Sequence, residues 1–307
     1  MAVPLRSSAF PDVLDARMTK VFNETYRQLP DRVAEFFGMP STGSKQGDTE
    51  RYSQTGTFGD VEEFTGSVSY DDVSEGYDVT FTHVQYAKGF QIERALYDDD
   101  KTGIMDSKPR DMAKALQRTR QKHGASILLN NAFSVDSTWI SHTENVALSS
   151  NSHTTRSGAS TSTGFDNLTT AALSAVALES ARISMRGFRG DRGERISVVP
   201  SVLLVPIDLE PTAWEIVNSQ GKPDSANNNA NFNYGFNMKS WEYFTDTNNW
   251  ALVDSGMMKD YLLWHDRIGQ EFAMVEDFDT LMGKWRLYSR YSAGHTDWRW
   301  FYGAQVS

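Results

Sequence analysis

The 307-residue sequence contains no cysteine. Disulfides, thiolate nucleophiles and cysteine-bound zinc are thereby excluded, and nothing points to an oxidising compartment. Long apolar runs are missing as well: none approaches the roughly 20 residues that a bilayer-spanning helix requires. The opening MAVPLRSSAFPDVLD lacks the apolar core of a signal peptide. A soluble protein made in a cytoplasm, with no membrane partner, is predicted. Positive charge is scarce, with 30 Lys and Arg against 40 Asp and Glu and a net charge of −10. That balance argues against general nucleic-acid binding by the whole surface.

Catalytic signatures are also lacking. There is no phosphate loop, no dinucleotide fingerprint, no Gly-x-Ser-x-Gly elbow and no zincin helix. Gly187, Gly190 and Gly193 recur every three residues, a spacing that neither cradles a pyrophosphate nor extends into collagen. The six histidines show no i, i+4 pair, and His123 falls on the apolar face of a predicted helix. Glu62-Glu63 and Asp71-Asp72 are adjacent, so on a strand each pair points to opposite faces and cannot grip one substrate. Asp98-Asp99-Asp100 lacks the spaced ligands of a calcium loop, and Arg189-Gly190-Asp191 has no disulfide-held loop to present it. No enzyme activity, catalytic residue, cofactor or metal is predicted.

What is present is a chain that is 39% hydrophobic and 12% aromatic, enough for a substantial core of mixed helix and strand. Residues 1–14 read as an arm. Met18, Val21, Phe22, Tyr26 and Leu29 then mark a helical pattern from Asp15 to Phe37 that Pro30 splits, with Asp31 opening a second short turn through Phe36 and Phe37. Over 48–90 the stretches ERYSQTGTF, VEEFTGSVSY and GYDVTFTHVQYAKGF alternate as strands but hold few large aliphatics. Such a half-polar hairpin needs a surface to lie on. It is also acidic, with nine Asp and Glu and only Arg51 basic between 48 and 78.

Ser107–Ser134 is the strongest helix prediction, with Ser107 at the N-cap and Pro109 in the first turn. Arg110, Lys114, Arg118 and Lys122 recur at steps of four and form one basic stripe. That stripe is a solubilising face, a DNA-facing surface, or the receiver of another subunit's acidic hairpin. A Ser/Thr/Asn/Gly loop follows, then an Ala-rich helix, Leu168–Met185, capped by Asn167. The run ISVVPSVLLVPIDLEPTAWEIVNS predicts a strand over 196–205, buried on both faces, and a helix capped by Asp208 with Trp214, Ile216 and Val217 buried. Near the C-terminus, Trp285, Leu287, Ser289 and Tyr291 alternate with Arg286, Tyr288 and Arg290, as in a sheet with one buried side.

Taken in order, these parts resemble the major capsid proteins of tailed bacteriophages, the Hong Kong 97-type shell fold. Three stretches carry the resemblance: SVVPSVLLVPIDLEPTAWEIVNS, NSHTTRSGASTSTGFDNLTTAALSAVALESARISM and HTDWRWFYGAQV. It implies an α+β capsid shell fold. Residues 1–47 would be the N-terminal arm and helix, and 48–90 an extended β-hairpin loop lying across a neighbouring subunit. Residues 91–196 would be a peripheral lobe with the spine helix 107–134, 197–260 the axial core, and 261–307 the strands that complete the sheet between lobes. The resemblance further implies hexamers and pentamers in an icosahedral shell around double-stranded DNA bound without sequence specificity. Portal, scaffolding and decoration proteins would be partners, with scaffolding supplied by another chain or absent. No crosslink motif is carried over.

The predicted subunit interface pairs Asp60, Glu62, Glu63, Asp71, Asp72 and Glu75 of the loop with Arg110, Lys114, Arg118 and Lys122 of the helix. Two other readings stand beside it: an encapsulin-like cargo compartment, and a carbohydrate-binding or carbohydrate-active surface protein suggested by the aromatic strands and many Asn.

Overall fold

The computed structural model describes residues 11–40, 47–61, 63–68, 70, 75–93, 95, 96, 99, 103–223, 229–277, 279, 280 and 282–307. Helix α1 (Pro11–Gln28) buries Met18 and Phe22, and one helical turn, α2 (Val33–Phe36), follows. Both lie against α3 (Ser107–Ala125). At 19 residues α3 is about 28 Å long, shorter than the predicted 107–134, because a π turn over Ser126–Asn130 replaces its last part. Asp106 rather than Ser107 holds the N-cap position, since a 3-10 turn (Ile104–Asp106) runs directly into the helix.

The inner face of α3 buries Met112, Ala113 and Leu116 against Phe22 and Leu287. Gln117 and Gln121 are also buried, and each donates its side-chain amide to the Pro30 carbonyl, at 2.9 and 3.0 Å. They satisfy the backbone oxygen at the point where the proline breaks the chain direction. Gly124 faces the Trp241 ring: a Cβ there would lie 2.9 Å from the indole, so only glycine permits this approach.

Among the described residues, three sheets complete the fold. Strands β1 (Thr49–Thr55) and β2 (Glu75–Thr82) form the predicted hairpin, and β4 (Ile140–His142) joins β2. The next strand, β3 (Val84–Glu93), does not extend that hairpin. It pairs with β10 (Met282–His295), which pairs in turn with β9 (Leu262–Asp277). On β10 the side chains of Trp285, Leu287, Ser289 and Tyr291 are buried, as their alternation predicts. Ser289 sits where the β9–β10 register shifts, and its hydroxyl donates to the Ile268 and Gly269 carbonyls, so the buried oxygen is satisfied.

The five-stranded sheet has the order β5 (Leu168–Thr169), β11 (Phe301–Ala304), β8 (Trp250–Val253), β6 (Val202–Val205), β7 (Asn237–Ser240). Strand β6 is buried throughout, but it is four residues long and not ten. Pro200 offers no amide for a ladder, and the residues before it are held otherwise: the Asp254 carboxylate accepts from the Val199 amide at 2.8 Å. Asp208 lies in a 3-10 turn and makes no side-chain cap. Helix α5 (Glu210–Asn218) buries Ala213, Ile216 and Val217 but leaves Trp214 61% exposed.

The Ala-rich helix is α4 (Ala175–Arg186), capped by Ser174 and not by Asn167. Asn167 is buried instead, where its amide donates to the carbonyls of Leu148 and Phe301 and its oxygen accepts from Ser150. It thereby ties the polar loop to β11, which enters this sheet instead of continuing β9 and β10. Leu204 is fully buried on β6, between β8 and β7 of the same sheet. Leu204→Ala is expected to cost about 2–5 kcal/mol in chemical denaturation, and a loss below about 1 kcal/mol would take β6 out of the core.

Candidate assembly surfaces

Burial of one face of α3 turns the opposite face outward. Arg110, Lys114, Arg118 and Lys122 are all exposed there, and none forms an ion pair with a described residue. Successive members lie about 6 Å apart along the axis. The predicted stripe therefore exists as a row of four exposed cations, none of them ion-paired to a described residue.

The acidic stretch divides into two groups. Near the hairpin base the charges are used internally: Asp78 pairs with Arg51, Asp48 with Arg290, and Glu50 is enclosed. Asp60, Glu63 and Glu75 are exposed, while Glu62, Asp71 and Asp72 lie outside the described residues. The loop between β1 and β2 also carries apolar side chains in water: Phe58 is 65%, Phe64 71% and Tyr70 91% exposed. Several large apolar side chains gathered on one loop mark an interaction surface more than a solvated one.

Two buried constellations hold these surfaces in place, and sequence reasoning missed both. Arg120 lies on the inner face of α3, two residues out of step with the basic row and so on the opposite side of the helix. Its guanidinium donates twice to Asp266 of β9, at 2.6 and 2.8 Å, and lies over the Trp264 ring at 4.9 Å. At the joint of the hairpin and the long sheet, Glu50 approaches His265 Nδ1 at 3.0 Å and His83 Nε2 at 3.6 Å. The other ring nitrogen of His83 meets the Ser292 hydroxyl at 2.9 Å. His123, predicted in the core, is half-buried, with Nδ1 2.8 Å from the Tyr291 hydroxyl. Two long-range partners such as Arg120 and Asp266 leave no local signal beyond one arginine on an apolar helix face.

The buried imidazoles set a pH dependence. Burial, then the charges of His142 and His153, hold His295 down to about 3. Burial, then His83, holds His265 down to about 4. Both are neutral when folded, whereas in the unfolded chain they titrate near 6.5. The unfolded state binds more protons, so stability is full above about pH 6.5 and falls as pH drops toward the folded values. The urea midpoint is expected to decline in this window, with a shallower slope in His295→Gln. A midpoint independent of pH there contradicts the assignment.

A cavity of about 290 Å³ opens beside the C-terminal end of α3, walled in part by Tyr86, His123, Ile127 and Trp139. No group of three or more His, Asp or Glu among the described residues is placed to hold a metal ion, and no described helix is long and apolar enough to cross a membrane.

Comparison with known proteins gives these surfaces a context. The sequence profile of the family described as phage capsid protein matches residues 76–304. The chain belongs to the phage capsid protein family. Its role is structural: it is a major capsid protein, the subunit of an icosahedral shell in the virion. The fold of this capsid protein agrees with solved structures across nearly its whole length. The capsid of a native GTA particle has a TM-score of 0.56 at 12% identity, covering 100% of this chain and 93% of that one. A structure from Mycobacterium phage Cain has 0.53 at 14%, covering 91% of each chain. One from Gordonia phage Cozz has 0.52 at 12%, covering 90% of this chain and 86% of that one. No curated protein matches the capsid protein significantly. The family match begins at residue 76, so β1 and most of the acidic loop lie outside it.

Proposed function

We propose that this capsid protein assembles as hexamers and pentamers, with the acidic loop of each subunit set against the basic face of α3 on its neighbour. The shell so formed encloses double-stranded DNA held without sequence specificity, and it is made in a bacterial host cytoplasm. Portal and scaffolding proteins, and decoration proteins where present, are its other partners. In this reading the arm and α1 occupy 1–47, the loop 48–90, the peripheral lobe with its spine helix 91–196 and the axial core 197–260. The strands after 261 return through both sheets. The assembly role is structural, with no catalytic step.

The observation that supports the loop-to-helix contact is the row of exposed cations on α3, none ion-paired to a described residue, matched by exposed Asp60 and Glu63 on a loop that also exposes aromatic side chains and by exposed Glu75 at the start of β2. One exposed pair contributes only about 0–1 kcal/mol. Repeated at every subunit of a closed shell, such pairs select register and partner. Assembly of purified subunits, followed by light scattering, is expected to slow markedly as salt rises from about 0.05 to 0.5 M and screening tightens. An assembly rate independent of salt contradicts the pairing. Nuclease-protected DNA in particles recovered from the host is the corresponding expectation for the lumen, and particles holding only protein cargo contradict that part.

A further inference from the structure

The basic row and the cavity at the end of α3 form one continuous feature. From Arg110 through Lys122 the cations advance by four residues, and the next step of four is Ser126, which lines the cavity. Side chains four apart on a helix stand one above the other, so the row leads along α3 to the cavity mouth. The floor is apolar, with Ile127, Trp139 and Leu148 buried, and the rim is polar, with Ser134 and Thr138 exposed. The cavity has room for one aromatic ring, in a site partly walled by others. Asp136 is the acid in its wall; its carboxylate accepts from the Thr138 amide at 2.7 Å, and burial raises it above the usual carboxylate range.

The matching side chain lies on the loop between β1 and β2. Thr57 donates to Glu194 of its own subunit at 2.5 Å, which holds Phe58 close to home. Phe64 lies further out, 71% exposed, directly after Glu63 and one short step beyond Asp60. An aromatic side chain flanked by carboxylates complements an apolar cavity approached by cations. We propose that Phe64 of one copy inserts into this cavity on a second copy, with Asp60 and Glu63 beside Arg118 and Lys122. A buried aromatic anchor ringed by charged contacts is the usual arrangement of a strong interface point. This inference rests on the proposed loop-to-helix contact and adds the anchor that fixes its register. Because the loop precedes residue 76, the device belongs to a part of the chain outside the family match.

The absence of native cysteine makes the test specific. Thr65→Cys and Ser134→Cys are prepared as separate single variants, both at exposed positions that leave the core intact. The two are assembled together and treated with a short bis-maleimide. A covalent dimer joining the two chains is expected from mixed particles, and none from either variant alone. Adding Phe64→Ala to the Thr65→Cys chain should reduce that dimer by about tenfold, the loss expected of an anchor residue. Mixed particles that give no dimer, or a dimer indifferent to Phe64→Ala, overturn the anchor while leaving the shell role standing. Failure of the unmodified chain to form particles counts against the shell reading itself.

Discussion

Reversing the charge of the outer face of α3 with Lys114→Glu and Arg118→Glu together is expected to abolish shell formation at moderate salt and leave the subunit folded. Both side chains are exposed and unpaired among the described residues, so their reversal removes no internal contact. Their folding contribution should stay within about 0.5 kcal/mol, as for other surface substitutions. At an interface the change is larger than a deletion, because attraction to Asp60 and Glu63 becomes repulsion at two positions. Like charges placed opposite each other at an interface cost several kcal/mol, and the loss recurs at every subunit. Sedimentation should find slow, unassembled protein, and circular dichroism an unchanged fold. Adding Asp60→Lys and Glu63→Lys to the same chain should restore part of the assembly. Normal shells from the reversed helix would remove the stripe from the interface.

Arg120→Ala is expected to have the opposite profile, with loss of folding stability before any effect on assembly. The Arg120 side chain is 3% exposed, and that of its partner Asp266 33%. Removing one member of a buried ion pair costs about 3–5 kcal/mol because the other charge is left without compensation. Partial exposure of Asp266 places the expected loss toward the lower end of that range. Asp266 also accepts from Trp264 Nε1 at 3.0 Å, and Arg120 lies 5.4 Å from the Tyr291 ring centre, so two aromatic side chains lose their register with it. Arg120→Met combined with Asp266→Leu should recover much of the loss by replacing the pair with packed apolar atoms. Chemical denaturation reads both results. A single-variant loss below about 1 kcal/mol would mean the pair is solvated rather than buried.

These two arginine-bearing faces show how unevenly the sequence reports on the molecule. The basic row was legible because its period is helical and local, and so was the buried side of β10, whose alternation from Trp285 to Tyr291 is periodic over neighbouring residues. The destination of β3 was not. Residues 84–93 carry the same strand signals whether they pair with β2 or with β10, and only the partner's position, some 200 residues away, decides. Asn167 was misread for a related reason. Beside an Ala-rich run an asparagine reads as a cap, while its actual hydrogen bonds reach Leu148 and Phe301. The acidic count between 48 and 78 was correct but not uniform: Asp48, Glu50 and Asp78 are consumed at the hairpin base, which no spacing rule separates from the exposed Asp60 and Glu63. Helix length failed at one point, Ser126–Asn130, where the chain widens into a π turn; the preceding Gly124 serves the close approach of Trp241 and does not by itself mark a helix end.

The central claim is that this chain builds a shell from copies of itself. Negative-stain microscopy of the purified protein, expressed alone and then with candidate scaffolding partners, tests it most directly. Rings of five and six subunits and closed particles of uniform size are predicted. A stable monomer that forms neither rings nor shells under either condition would contradict the account.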